Sequence, residues 1–126
     1  MIAGVHAMFY SAAPDALRAF FRDQLRLPFT DVGGGWLIFD LPAGDLGVHP
    51  TAPADSPHPT PPPNTHAISF FCTDLAATVA DLRARGVEFT TPITDQGFGL
   101  VTLLKAPGDL VIQLYQPHYT KNPQPS

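Results

Sequence analysis

The spacing of hydrophobic residues in the first part of the chain predicts a strand, a helix and two further strands. The helix carries apolar side chains three or four positions apart, and Pro14 lies in its first turn, where proline is favoured. The strands are short and rich in β-branched and aromatic residues. In chain order these segments read VHAMFY, PDALRAFFRDQL, WLIFDL and LGVH.

The second part of the chain repeats this succession of elements. A strand, HAISFF, precedes a helix, TDLAATVADLRARG, which begins at Thr73 or Asp74 and ends at Arg85 and Gly86. Three strands follow, with the sequences VEFT, GLVTLL and LVIQLY. Each part is therefore predicted to contain a strand, a helix and about three further strands, which is a βαβββ module.

The two modules also resemble each other residue by residue. Aligning GGGWLIFDLPAGDLGVH with GFGLVTLLKAPGDLVIQ matches several glycines and a Gly-Asp-Leu triplet, and it places His49 on Gln113. Aligning the segments PFT and EFT, which follow the two helices, places His6 on His66. The chain is therefore predicted to be a duplicated βαβββ unit of the α+β class.

A proline-rich stretch separates the modules. The chain holds 15 prolines, and seven of them fall between residues 50 and 64, where no helical or strand periodicity is present. This stretch is predicted to run extended as a semi-rigid spacer. The predicted organisation is a first module at 1–49, a linker at 50–64, a second module at 65–117 and a tail at 118–126.

Composition narrows the classes of function. The formal charge is −4 and the seven lysines and arginines are scattered singly, which argues against nucleic acid or an anionic membrane as a partner. No apolar run approaches the ~18 residues of a membrane span. No signal sequence precedes the first strand, and Cys72 is the only cysteine. We therefore expect a protein of the reducing cytoplasm.

Several segments resemble one known superfamily. The helix end FFRDQLRLP, the helix-to-strand turn LRARGVEF and the last strand PGDLVIQLYQP are similar to those of the vicinal oxygen chelate superfamily. That superfamily includes glyoxalase I, extradiol dioxygenases, fosfomycin-resistance enzymes and bleomycin-binding proteins. The resemblance covers almost the whole chain. It implies that two βαβββ modules curl their sheets into an incomplete barrel around a central cavity.

The resemblance also implies where a divalent metal would bind. Ligands in the superfamily come from inward-facing residues on the first and last strands of the modules. The matching positions here are His6, His49, His66 and Gln113. Metal-binding relatives commonly have Glu at the position of Gln113, so an amide replaces a carboxylate. The metals implied are Fe, Zn, Ni or Mn, for which a glutamine carbonyl is a weaker ligand than a carboxylate.

The orientation of His66 has two interpretations. Counted from the end of the helix, His66 aligns with His6 and faces inward. Counted from the start of the helix, strand alternation places Ala67, Ser69 and Phe71 on the inward face. We expect His66 to face inward, because an imidazole on the apolar, helix-facing side would need its own hydrogen-bond partner.

Two functions are compatible with these features. One is a metal-dependent enzyme, similar to glyoxalases or extradiol dioxygenases, and the other is a metal-free protein that binds or sequesters a small molecule, as bleomycin-resistance proteins do. Three histidines at corresponding positions favour the enzyme, although no catalytic base can be named.

A homodimer is expected, because small proteins of this fold often pair. Mostly apolar or aromatic side chains are predicted to line the cavity and to favour a flat apolar ligand, namely Met8, Tyr10, Trp36, Ile38, Phe71, Phe98 and Tyr115.

Overall fold

The computed structural model describes residues 7–9, 11–41, 43–44 and 50–118. They form a mixed α+β fold with two helices and two sheets, as the sequence predicts, and the described strands do not close into a barrel. None of the described helices is long and apolar enough to cross a membrane. In chain order the elements are α1 (Pro14–Ala19), a π-helical segment (Phe20–Gln24), β1 (Phe29–Asp31), β2 (Leu37–Phe39), β3 (Ser69–Phe71), α2 (Leu75–Ala84), β4 (Thr94–Asp95), β5 (Gly99–Ala106) and β6 (Leu110–Pro117).

The second part of the chain forms a four-stranded sheet with the strand order β3-β6-β5-β4. β3 runs parallel to β6, whereas β6, β5 and β4 pair antiparallel. The predicted strand VEFT joins this sheet through one bridge, between Phe89 and Leu104. The predicted succession of a strand, a helix and three strand segments is therefore present, and β4 is a further short strand that the hydrophobic pattern does not predict.

Helix α2 has the boundaries that its sequence predicts. Asp74 is the N-cap, and its carboxylate accepts a hydrogen bond from the backbone N–H of Ala77 at 3.0 Å. The helix ends at Arg85, and Gly86 follows with a φ of 87°, a backbone conformation that glycine adopts without strain. Its apolar face, formed by three residues at helical spacing, is buried: Leu75, Val79 and Leu82.

The described residues of the first part of the chain form α1, the π-helical segment and a two-stranded sheet. α1 continues into the π-helical segment, in which the N–H of Leu25 donates to the carbonyl of Phe20 at 3.1 Å. β1 and β2 pair as a hairpin across a turn that contains Gly33, Gly34 and Gly35, each with a positive φ. The predicted strand LGVH and most of VHAMFY lie outside the described residues, and residues 7–9 lie outside any strand.

The hydrophobic core lies between the helices and one face of the four-stranded sheet. Phe21 of the π-helical segment makes aromatic contacts with Phe9 and Phe39 from the first part of the chain and with Phe70 of β3, at ring distances of 5.6, 5.4 and 5.9 Å. The two parts therefore share one core. Its buried side chains are Leu17, Phe20, Phe21, Leu75, Val79, Leu82, Val87, Leu104, Ala106, Ile112 and Leu114.

Candidate functional site

Strand β6 separates the core from the candidate site. Ile112 and Leu114 are 1% and 3% exposed and point into the core. Gln113 lies between them in an extended strand, so its side chain projects from the opposite face of the sheet. The residues paired beside it are Ser69 on β3 and Leu103 on β5, which share that face. We call this side of the four-stranded sheet the open face.

A cavity of about 550 Å³ lies against the open face. This volume falls within the ~300–1,000 Å³ usual for small-molecule sites. Its lining comes from the sheet, from the segment before β4, from the β4–β5 turn and from the proline-rich stretch. The lining residues are Pro59, Thr91, Thr94, Gln96, Phe98, Val101, Thr102, Leu103 and Gln113.

Gln113 is held by the neighbouring strand. Its Nε2 donates to the hydroxyl oxygen of Ser69 at 3.3 Å. Because β3 and β6 run parallel with Ser69 opposite Gln113, this contact follows from the register of the two strands. The amide therefore has one polar partner on the same face and presents neutral donor and acceptor chemistry to the cavity.

A row of aromatic side chains crosses the open face beside Gln113. The rings of Phe71 and Tyr115 have centroids 6.3 Å apart and are inclined by 60°. Tyr115 and Phe98 are 6.4 Å apart and inclined by 65°. Both are edge-to-face contacts, which fix the rings relative to one another. Phe98 is 54% exposed and lines the cavity, so the end of this aromatic row is available to a ligand.

The cavity lining is uncharged, and next to the adjoining β4–β5 turn the last residue of β4, Asp95, contacts His118, which follows β6. Nε2 of His118 lies 3.2 Å from Oδ1 of Asp95, which also accepts a hydrogen bond from the N–H of Gly97 at 2.9 Å. The Gly97 amide, followed by His118, lowers the pKa of Asp95 below its ordinary value. The backbone N–H of His118 donates to the carbonyl of Phe98. These bonds hold the turn that carries Phe98 at the cavity.

Of the four predicted metal ligands, His66 and Gln113 lie within the described residues. His6 and His49 lie outside the described residues. His66 is exposed and precedes β3, and the strand register places Ser69, not His66, opposite Gln113. Strand alternation counted from the helix start, the less favoured of the two interpretations, agrees with this register.

The polar groups beside Gln113 do not match a divalent metal site. The Ser69 hydroxyl and the Gln113 amide itself carry no charge to offset that of the ion. Within the described parts of the chain, no three His, Cys, Asp or Glu residues gather where they could share a metal ion. The set of ligands implied by the family resemblance therefore stays a prediction that depends on His6 and His49.

The predicted lining residues divide into three groups. Phe98 lines the cavity, and Phe71 and Tyr115 lie on the open face beside it. Tyr10 lies outside the described residues. The remaining residues do not line this cavity: Met8 and Trp36 are 42% and 50% exposed, and Ile38 lies in β2. Trp36 instead packs under the guanidinium of Arg18, 4.6 Å from its ring centroid.

Other lining residues were not predicted. Val101 and Leu103 follow from strand alternation in GLVTLL, which places every second residue on the face of Gln113. Thr91 and Pro59 carry no local signal, because loops bring them to the cavity, and Thr94 lies in the two-residue strand β4, which the hydrophobic pattern does not predict.

Solved structures with the same fold cover most of this chain. TnmS3, an antibiotic-binding protein from Streptomyces, is 21% identical with a TM-score of 0.55, and the alignment covers 93% of this chain and 99% of TnmS3. A glyoxalase/bleomycin resistance protein/dioxygenase superfamily member from Sphaerobacter thermophilus is 22% identical with a TM-score of 0.58, covering 91% and 98%. Lactoylglutathione lyase from Agrobacterium tumefaciens is 15% identical with a TM-score of 0.56, covering 86% and 88%. These similarities show the fold alone.

Sequence comparison identifies the family. No curated protein sequence matches the chain. A family model, however, matches residues 5–114, which cover most of both predicted modules and the whole spacer between them. The chain therefore belongs to the Glyoxalase/Bleomycin resistance protein/Dioxygenase superfamily.

Proposed function

We propose that this protein binds a small, uncharged, flat molecule in the cavity on the open face. The observation that carries the proposal is the composition of the lining, which combines aromatic and aliphatic walls with neutral hydroxyl and amide groups. Apolar walls with a few hydrogen-bonding groups are typical of small-molecule sites. The protein then acts by holding its ligand, in the manner of a drug-sequestering protein.

The lining favours neutral ligands over charged ones. Phe98, Val101 and Leu103 supply apolar surface, while Thr94 and Gln113 supply neutral polar groups. A charged ligand entering this cavity would lose hydration without gaining an opposite charge, which costs several kcal/mol. A planar molecule with one or two hydrogen-bonding groups meets no such penalty.

One structural relative gives independent support. TnmS3 is described as an antibiotic-binding protein and aligns along almost the whole of both chains. A protein with this fold can therefore function by binding a small molecule, which supports the same kind of function for this chain. The antibiotic class itself is not carried over, because the two proteins are only 21% identical.

A metal-dependent enzyme similar to glyoxalases or extradiol dioxygenases is the second candidate. The internal repeat that aligns His49 with Gln113 and His6 with His66 favours it. Such an enzyme would need His6 and His49 to supply imidazole ligands, because the polar partner that Gln113 has among the described residues is a neutral hydroxyl, that of Ser69. A metal held there would polarise oxygen atoms of the substrate.

Fluorescence titration with prodan, a neutral and nearly planar fluorophore, tests the proposed function. We expect saturable binding with a blue-shifted emission, and weaker binding of the anionic fluorophore anilinonaphthalene sulfonate. Phe98→Ala should weaken prodan binding about tenfold, because it removes an aromatic wall of the cavity.

Phe29→Ala is the matched control, because Phe29 is also an exposed phenylalanine, 44% accessible, but lies on the other sheet. It should leave prodan affinity unchanged. Absence of saturable binding by the wild type, or equal loss in both variants, would contradict the proposed function.

A further inference from the structure

Part of the proline-rich stretch folds into a closed loop. The hydroxyl oxygen of Thr60 accepts a hydrogen bond from the N–H of Ala52 at 2.8 Å. The same hydroxyl can donate to the carbonyl of Ala52 at 3.4 Å or to that of Pro61 at 3.2 Å. One threonine side chain therefore joins the two ends of residues 52–60, which we call the 52–60 loop.

The interior of the 52–60 loop is also ordered by hydrogen bonds. The N–H of Ser56 donates to the carbonyl of Pro53 at 3.0 Å, and the hydroxyl of Ser56 accepts from the N–H of His58 at 3.3 Å. Prolines within the loop restrict the backbone further, because each has a fixed φ. A plain extended spacer, as predicted from composition, would need none of these bonds.

The 52–60 loop reaches the open face of the sheet. Pro59, the residue before Thr60, lines the same cavity as Thr94, Phe98 and Gln113. The proline ring is apolar and has no N–H, so it offers a flat van der Waals surface without a polar group to satisfy. The cavity thus has one wall that comes from the proline-rich stretch.

We propose that Thr60 is a positioning residue that holds Pro59 as a wall of the cavity, so that the 52–60 loop determines which molecules the cavity accepts. The inference rests on the proposed small-molecule function and adds a specificity element to it. A wall set by a stiff loop favours flat ligands, which fit between the loop and the sheet, over bulky ones. When the Thr60 hydrogen bonds are lost, Pro59 leaves the cavity wall in part of the molecules. The apparent affinity for the ligand then falls in proportion to the fraction of molecules whose wall is still intact.

Thr60→Val tests this inference, because valine has nearly the same shape but lacks the hydroxyl. We expect faster hydrogen exchange of the Ala52 amide and altered amide chemical shifts at Thr94 and Gln96, which line the same cavity as Pro59. Prodan affinity should fall about fivefold, which corresponds to the loss of one intramolecular hydrogen bond. Thr60→Ser retains the hydroxyl and should restore all three measurements.

Thr65→Val is the matched control. The Thr65 hydroxyl donates to the carbonyl of Pro62 in the same proline-rich stretch, but Thr65 does not line the cavity. It should change neither prodan affinity nor the amide shifts of Thr94 and Gln96.

The outcomes separate the inference from the function on which it rests. Unchanged prodan affinity in Thr60→Val, with normal wild-type binding, would overturn the inference and leave the proposed function standing. Equal losses in Thr60→Val and Thr65→Val would overturn it as well, because they would indicate a general effect of the stretch. Failure of the wild type to bind prodan would contradict both proposals.

Discussion

Gln113 shows how one residue can separate two functions. It lies on the open face between a core-facing isoleucine and a core-facing leucine, and its amide donates to Ser69. Relatives that bind metal commonly have a carboxylate at the matching position. Replacing the amide by a carboxylate changes the charge and leaves the side-chain length nearly unchanged. The effect of this substitution on stability and binding therefore depends on whether the groups around residue 113 favour a charged side chain.

We predict that Gln113→Glu lowers the melting midpoint and weakens prodan binding. The new carboxylate would lie among neutral and apolar groups, so it either loses hydration or becomes protonated through a raised pKa. Thermal unfolding should show no rise in midpoint with Zn²⁺, Ni²⁺, Mn²⁺ or, without oxygen, Fe²⁺. Gln96→Glu, at an exposed position of the same cavity, is the control and should change stability little.

A rise in the melting midpoint of Gln113→Glu when a metal is added would contradict this prediction. Such a rise would indicate metal binding, because a ligand that binds only the folded state stabilises it. That outcome would favour the metal-dependent enzyme and would support His6 and His49 as ligands.

Asp95 gives a prediction for the dependence of stability on pH. Its pKa is lowered mainly by the Gly97 amide and then by His118. A carboxyl group whose pKa is lower in the folded state stabilises the protein above the unfolded pKa of about 3.9, and this contribution is lost as the pH falls through the folded pKa. The melting midpoint of wild type should therefore exceed that of Asp95→Asn by a small amount at about pH 5, and the difference should disappear towards about pH 2.

Asp55→Asn, in the proline-rich stretch, is a control that removes one carboxyl group away from the β4–β5 turn. A difference between wild type and Asp95→Asn that stays constant over this acid range would contradict the assigned role of Asp95.

At the scale of elements, two side chains cap the N-terminus of helix α2. Asp74 caps the helix from its own segment, and the side-chain oxygen of Gln116 on β6 accepts from the N–H of Leu75 at 2.9 Å. Helix N-termini leave backbone N–H groups without helical partners, so both contacts satisfy donors that would otherwise lack them. The second contact also fixes the helix relative to the strand that carries Gln113.

We predict that Asp74→Ala lowers the free energy of unfolding by about 1 kcal/mol, the usual cost of losing an N-cap. Asp15→Ala should cost less, because Asp15 is exposed and its ion pair with Arg18 lies at the surface. Urea unfolding of the two variants measures the difference. Equal costs would show that the Asp74 hydrogen bond contributes no more than a surface ion pair.

Strand β5 allows adjacent leucines to be compared. Leu104 is fully buried in the core, whereas Leu103 lines the cavity on the opposite face. Leu104→Ala should cost about 2–5 kcal/mol of unfolding free energy, because it leaves a hole in close-packed surroundings. Leu103→Ala should cost less but should weaken prodan binding. A larger stability loss in Leu103→Ala would contradict the assignment of the two faces.

At the scale of the whole molecule, one aromatic residue joins the two parts of the chain. Phe21 contacts rings from residues before and after the proline-rich stretch, so the helical segment of the first part and the sheet of the second bury their apolar surfaces together. The predicted homodimer and the predicted module boundaries stay predictions. Light scattering at micromolar concentration would measure the former, and a monomer would contradict it.

The sequence alone determined the features that depend on local periodicity. Alternation in LVIQLY separates the faces of Gln113 and its neighbours, and Asp74 and Gly86 mark the ends of α2, because side-chain direction and capping depend only on residues near in the chain. The internal repeat and the family resemblance, taken together with these local features, predicted the α+β fold.

Tertiary structure alone decided which distant residues meet. Ser69 lies beside Gln113 because β3 and β6 pair in one register, and a shift of a single residue would have brought a different side chain there. Pro59 reaches the cavity because Thr60 closes a loop back to Ala52, and composition had indicated only an extended spacer. Local pattern determines which way a side chain points along its strand or helix, whereas the partner it meets depends on how separate segments pack together.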